Sequence, residues 1–304
     1  MTNSGVIVRN AWRVGLVVPA FNAPYLPMIE PIVRAAADAD SFAFIETARL
    51  EWYKFEARSL EAVFAEYKRW ENPRHVRLHL DHVPVIDEDG ARVDYLADIG
   101  AALRLGYHSV MVDGSRLPLE ENIAATAAAA RMAHTAGVPC EAELGAVFGH
   151  EAGPPPPYEQ LFASGKGFTD LDDAARFVHE TGCDWLSVAV GNIHGAISGA
   201  LRDQPKLAAR LNIDHLKNLR DATGVPLVLH GGSGIQRDCV REAIRNGIAK
   251  INVGTEIRQA YEAAFRETHD VRAAQEAVYD RTLWILREYY ELEGSRRIIA
   301  SDDA

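Results

Sequence analysis

Polar residues able to carry acid–base and metal chemistry recur at the ends of apolar runs along this 304-residue sequence. Asn22, Glu46, Asp81 with His82, Asp113, Glu143, His194, His230 and Asn252 each close or follow such a run. His82, His194 and His230 suit a metal, because neutral imidazole is a natural zinc ligand and a catalytic zinc site keeps a fourth position open. No local spacing joins these histidines, so a fold has to bring them together. Carboxylates nearby could move protons, commonly contributing about 10²–10⁴-fold each. His230 opens the run His230-Gly231-Gly232-Ser233-Gly234. A glycine turn leading from strand to helix aims backbone N–H groups at an anion. Gly195, directly after His194, can serve similarly. Lys250, near the end of its run, reads as structural as readily as chemical. His79, one strand step before Asp81, reads as a supporting residue. His75, His108, His134, His179, His215 and His269 fall on helices, helix ends or strand entries and read as structural or surface residues, and His150 carries no assignment.

What must position these groups is an alternation of apolar strands and longer helical stretches, which predicts a parallel sheet with helices outside. The strands read as Val14–Phe21, Phe42–Thr47, Val76–Leu80, Ser109–Asp113, Pro139–Leu144, Trp185–Val190, Leu227–His230 and Ile248–Val253. Helices read as Pro27–Ala37, Ser59–Trp70, Val93–Leu105, Glu120–Ala136, Leu171–Thr181, Ile213–Thr223, Gln236–Asn246 and Thr255–Glu267, with a last amphipathic helix over Val271–Leu292. The expected fold is α/β, a (β/α)8 TIM barrel forming a single domain over residues 1–304 with a C-terminal helical extension. An open doubly wound sheet is the alternative, but the first strand ends in Ala20-Phe21-Asn22-Ala23-Pro24 rather than a GxGxxG turn, and there is no P-loop. In a barrel the site lies at the C-terminal ends of the strands, where the polar set falls. Residues 149–167 read as a long loop and candidate lid, because Pro154–Pro157 exclude helix interior and strand.

A formal net charge of -11 argues against non-specific binding to nucleic acid or an anionic membrane surface. A nest of N–H groups can still bind phosphate in an acidic protein. Three scattered cysteines, Cys140, Cys183 and Cys239, point to buried thiols in a reducing cytoplasm, not to disulfides or a Cys-based zinc site. No apolar run approaches the ~20 residues of a membrane span, and Met1–Trp12 lacks the apolar core of a secretory signal.

The motifs resemble the class II fructose-bisphosphate and tagatose-bisphosphate aldolases. His79-Leu80-Asp81-His82, Gly106–Asn122 (GYHSVMVDGSRLPLEEN), Glu141–Gly145 (EAELG), Gly191–Gly195 (GNIHG), His230–Gly234 (HGGSG) and Lys250–Arg258 (KINVGTEIR) occur in family order and span nearly the whole chain. The resemblance implies one catalytic Zn2+ on His82, His194 and His230. It makes Asp81 the residue handling the proton of the cleaved hydroxyl, and Glu151 the one handling the proton at the donor carbon. Asp113 and Glu143 match an alternate metal position for a second divalent ion. Gly195, Gly231, Ser233 and Thr255 match a phosphate cradle often shared with a monovalent cation. Asn22 and Asn252 match substrate contacts. The implied reaction is reversible cleavage of a phosphorylated ketose to dihydroxyacetone phosphate and an aldehyde, by a cytoplasmic homodimer or homotetramer.

Departures cluster around substrate. Ser198 stands where the family usually has lysine, the strand-two motif reads Glu46-Thr47-Ala48 where glutamine and serine are usual, and Val83 replaces a glycine. Gly199–Ala208 lengthens a connection. An altered donor or substrate, such as another, a sulfonated or a singly phosphorylated ketose, is the alternative within the class. A zinc hydrolase on a similar barrel would place an HxH pair at the first strand, where this chain has Asn22. A non-catalytic barrel fits poorly with Asp81, Glu151 and three histidines all in place.

Overall fold

The computed structural model describes residues 2–145, 158–192, 210–232 and 235–300. His150, Glu151, Pro154–Pro157, His194, Gly195, Ser198 and Ser233 lie outside these residues. Eight parallel strands close into a barrel in chain order. They are β1 (Val18–Asn22), β2 (Ala43–Ala48), β3 (Val76–Pro84), β4 (Ser109–Asp113), β5 (Cys140–Leu144), β6 (Trp185–Val188), β7 (Leu227–Leu229) and β8 (Ile248–Val253). The helices are α1 (Ser4–Val14), α2 (Ile29–Asp38), α3 (Arg49–Lys54), α4 (Leu60–Trp70), α5 (Tyr95–Leu105), α6 (Leu119–Thr135) and α7 (Tyr158–Ser164). They continue as α8 (Leu171–Thr181), α9 (Ile213–Thr223), α10 (Arg237–Arg245), α11 (Thr255–Thr268), α12 (Val271–Trp284) and α13 (Arg296–Ile299). Among the described residues no helix is long and apolar enough to cross a membrane.

The strands are buried on both faces, as expected where helices flank a parallel sheet. Residues between sheet and helices form the larger core, including Ile45, Leu78, Leu80, Val110, Val112, Leu186, Leu227 and Ile251. A second cluster of Val18, Ala20, Phe42, Phe44, Trp185, Val228 and Ala249 fills the barrel near its N-terminal end, packed against Ile7, Val8 and Ala11 of α1 and Ile299 of α13.

Several elements differ from expectation, among them α3 and α13, which no expected helix covers. Val14 ends a helix and does not start β1. The β-branched residues of Ser4–Val14 are weak helix formers, and the plugging contacts in the barrel floor override that weakness. Asn3 also caps this helix, its side chain accepting from Gly5 N at 2.7 Å. Pro31 lies in the first turn of α2, where its absent N–H has no intrahelical partner to lose. The stretch expected as loop up to Gly167 contains α7, whose first residue directly follows the prolines. The expected helix to Leu292 stops at Trp284 and passes into a π turn over Ile285–Tyr289.

Candidate active site

The C-terminal half of the barrel interior is polar, and strand alternation decides which residues it receives. Successive side chains on a strand point to opposite faces. His79 and Asp81, Glu141 and Glu143, and Lys250 and Asn252 are therefore same-face pairs two residues apart. Alternation alone would send His82 away from Asp81. The β3–β4 register instead slips by one residue between Leu80 and Val83. His82 adopts φ 30°, in the left-handed region where non-glycine residues are strained. This bulge turns two consecutive residues toward one site.

His82 and His230 meet there, ring centroids 4.5 Å apart and steeply inclined to each other. Ligand atoms of Asp81, His82 and His230 all lie within 4.8 Å of one another, and the same holds for His82, Asp113 and Glu143. His82 Nδ1 is 3.3 Å from Asp113 Oδ2 and 3.8 Å from Glu143 Oε2. His230 lies between Glu143 Oε2, 3.0 Å from its Nδ1, and Glu141 Oε1, 2.9 Å from its Nε2. Ser115 fixes the other oxygen of Asp113, donating to Oδ1 from its N at 3.0 Å and its Oγ at 2.6 Å.

The carboxylates dominate the electrostatics. Burial and the neighbouring His82 oppose charge on His230, yet Glu141 and Glu143 push its pKa up to about 9. Burial likewise opposes charge on His82, and Asp81, Asp113 and Glu143 raise it well above the ordinary range. The carboxylates that raise both imidazoles would equally favour a bound cation between them. Nitrogen and carboxylate donors converging within one ion's reach are a divalent-metal set, so these residues fit the metal.

Asp81 is buried and held from both sides. Asn22 donates to Oδ2 at 3.0 Å and Asn252 to Oδ1 at 2.9 Å. A Cβ on Gly254 would come within 3.0 Å of Asn22 Oδ1, so the bare backbone leaves that amide its place. Burial raises the Asp81 pKa, but His82, Lys250 and His230 more than offset it, and the net direction is strongly downward.

Beneath lies a fully buried ion cluster. Lys250 Nζ is 3.1 Å from Glu46 Oε2 and 3.0 Å from Glu141 Oε2. His79 is bound to Ser109, Nδ1 to Oγ at 2.8 Å, and its Nε2 is 3.5 Å from Glu141 Oε2. Burial and the Lys250 charge hold the His79 pKa down to about 3. Burial, with the Asp81 charge, lifts Glu46 up to about 8, against the pull of Lys250. His79 thus touches the site through Glu141, a residue that sequence reasoning passed over; the period-two step back from Glu143 was the available signal.

Two asparagines missed in the sequence shape strand ends. Asn192 accepts from Val190 N and donates to the His230 carbonyl at 2.9 Å, tying the end of β6 to that of β7. Asn122 donates to the Glu143 carbonyl at 3.1 Å. Gly114 permits this, since a Cβ there would sit 2.2 Å from Asn122 Oδ1. Gly231 (φ 69°) follows His230, and Thr255 begins α11 next to Gly254. Glu151, His194, Gly195 and Ser233 lie outside the described residues, so the structure brings together Asn22, Asp81, His82, Asp113, Glu143, His230 and Asn252, with Gly231 and Thr255 at the same end of the barrel.

A family model described as fructose-bisphosphate aldolase class-II matches residues 2–296. The chain belongs to the class II fructose-bisphosphate aldolase family. A fructose-bisphosphate aldolase of Streptococcus pyogenes serotype M3 is 38% identical over 280 residues, covering 90% of this chain and 85% of its own. A fructose-bisphosphate aldolase of Streptococcus pneumoniae serotype 4 is 34% identical over 294 residues, covering 94% and 90%. Among solved structures, the YdjI aldolase of Escherichia coli K12 superposes with a TM-score of 0.73 at 29% identity, over 97% of this chain and 99% of that one. This class II aldolase is a carbon–carbon lyase; its family implies a divalent metal and a sugar-phosphate substrate.

Proposed function

We propose that this aldolase cleaves a phosphorylated ketose to dihydroxyacetone phosphate and an aldehyde, with zinc held by His82, His194 and His230. One observation carries the reading: a buried Asp81 carboxylate, gripped by Asn22 and Asn252, stands beside the His82–His230 pair. A divalent ion there supplies Lewis-acid stabilisation of negative charge developing on substrate oxygen. Asp81 accepts the proton of the hydroxyl on the bond-breaking carbon. The carbonyl of the aldehyde forms as the carbon–carbon bond breaks, and its electron pair stays with the donor fragment. Glu151 returns a proton to the donor carbon. Asn22 and Asn252 hold the Asp81 carboxylate in one orientation, so the proton transfer needs no search. Gly231, Ser233, Gly195 and Thr255 form the phosphate cradle, and Asp113 with Glu143 an alternate metal position. The same reading carries a homodimer or homotetramer in the cytoplasm.

One observation favours a second reading, a ketose whose far end is not phosphorylated. Ala48 stands in the usual serine place, and its backbone N–H is taken by the buried carboxylate of Glu51 at 2.9 Å. Burial holds the Glu51 pKa well above the ordinary carboxylate range, with Asp81 and Glu46 adding to the rise against the Ala48 hydrogen bond. A cleavage screen with zinc across ketose bisphosphates and ketose 1-phosphates tests both readings. Fructose or tagatose bisphosphate as the preferred substrate supports the first; preference for a 1-phosphate supports the second. No cleavage of any ketose phosphate contradicts both.

A further inference from the structure

We propose that Lys250 is a positioning residue for Asp81, acting through the side-chain amide of Asn252; the inference rests on Asp81 taking the hydroxyl proton. Lys250 and Asn252 share the inward face of β8, two residues apart. Lys250 Nζ donates to Asn252 Oδ1 at 2.5 Å, and Asn252 Nδ2 donates to Asp81 Oδ1 at 2.9 Å. An ammonium offers only donors, and an ionised carboxylate only acceptors. An amide between them can satisfy both in one sense alone, with its oxygen to the lysine and its nitrogen to the aspartate. Without the ammonium, Asp81 alone would hold the amide in that sense, and the hold would be weaker. With its oxygen turned to Asp81, Asn252 would repel the carboxylate it now supports.

The ammonium is itself fixed. Glu46 from β2 and Glu141 from β5 hold it at 3.1 and 3.0 Å, with no solvent exposure on any of the three side chains. Glu141 reaches His230 with its other oxygen, Oε1 lying 2.9 Å from Nε2. Lys250 therefore sits where the support of Asp81 and the support of His230 meet. Its own role is one of orientation, since the two carboxylates keep it protonated and so unable to attack a carbonyl. Glu46 is this chain's departure from the usual glutamine, and its carboxyl oxygen gives the lysine a second partner at 3.1 Å.

Removing Lys250 alone would strand two buried carboxylates, which is strongly destabilising. The test therefore pairs Lys250→Met with Glu46→Gln, which removes the ammonium together with one of its two carboxyl partners. Two activities are read on the zinc enzyme. Ketose phosphate cleavage needs Asp81; solvent hydrogen exchange into dihydroxyacetone phosphate alone, with no aldehyde present, does not. In the paired variant kcat for cleavage is expected to fall about 10²-fold. KM and donor exchange should stay within about threefold of those of Glu46→Gln alone, the reference for both paired variants. Lys250→Gln with Glu46→Gln restores a neutral donor facing Asn252 and should recover about tenfold of the lost cleavage. Parallel loss of cleavage and exchange, or undiminished cleavage, overturns the proposal. If the methionine pair does not fold, Lys250→Gln with Glu46→Gln measured against Glu46→Gln decides by the same criterion. An unaltered zinc enzyme lacking both cleavage and exchange would instead defeat the aldolase reading, and this inference would fall with it.

Discussion

The two ends of the barrel interior share the same strands and do opposite things. Val18 and Ala20 precede Asn22, Phe42 and Phe44 precede Glu46, and Val228 precedes His230, each on one inward face. At the N-terminal end these side chains are closed over by Ile7, Val8, Ala11 and Ile299. Fully burying a large apolar side chain stabilises by about 1.5–3 kcal/mol. A few residues further along, Lys250, Glu46, Glu141, His79 and His230 are all withdrawn from water. Each of these groups that carries charge costs several kcal/mol before pairing offsets it. Stability and chemistry are thus stacked along one axis, and a change at one end should leave the property of the other largely intact.

The largest expected effect tests this at the open end. His82→Ala should lower cleavage by about 10³-fold or more, because it removes one of the proposed ligands of the Lewis acid. Bound metal measured by elemental analysis should fall with it, while the thermal midpoint stays close to that of the unaltered protein, because alanine keeps the positive φ and the barrel-floor plug is untouched. A matching collapse of stability would mean that the ends are not separate. At the closed end, Phe44→Ala should destabilise by about 3–5 kcal/mol. Urea unfolding measures this, and kcat of the folded fraction should stay within about twofold. A large kcat loss would break the division from the other side. Glu141→Gln bridges the two layers: if His230 is a ligand as proposed, it should weaken metal binding by about 10–100-fold in chelator competition, since a partner behind a ligand sets its orientation and basicity. Unchanged affinity would remove Glu141 from the support of His230.

The smallest effect concerns pH at the closed end. His108 Nδ1 accepts from Leu78 N at 3.1 Å, and burial, then Arg77, holds its pKa down to about 4. In the unfolded chain it titrates near about 6.5. The unfolded state therefore binds the proton first as pH falls. The stability His108 contributes is complete above about 6.5 and is lost progressively toward about 4. His108→Gln should flatten the unfolding free energy across that window. An unaltered slope would assign the pH dependence to other groups.

How much of this could be read beforehand depends on which rule governs each residue. The limits of β4 and β8 were legible because Ser109–Asp113 and Ile248–Val253 are apolar runs with clear ends. The closed barrel followed from eight such runs alternating with helices, and the strands do close on themselves in chain order. The plug was not legible: Ser4–Val14 becomes a helix through its contacts with the barrel floor, a tertiary effect. The gathering of Asp81 with His82 was expected from family likeness, but its physical cause was hidden. It needs an extra residue at positive φ, and no glycine marks the place. Glu141 and Lys250 obeyed the period-two rule, yet only the closed ring shows that strands β2, β5 and β8 send their charges to one point.

The central claim is one divalent cation shared by imidazoles from different strands. Anomalous diffraction at the zinc edge, on crystals grown with the metal, tests it most directly. The account predicts a single strong peak about 2.0–2.1 Å from one nitrogen of each of His82 and His230, with His194 completing the set. A peak elsewhere, or one touching only one of these rings, would contradict it.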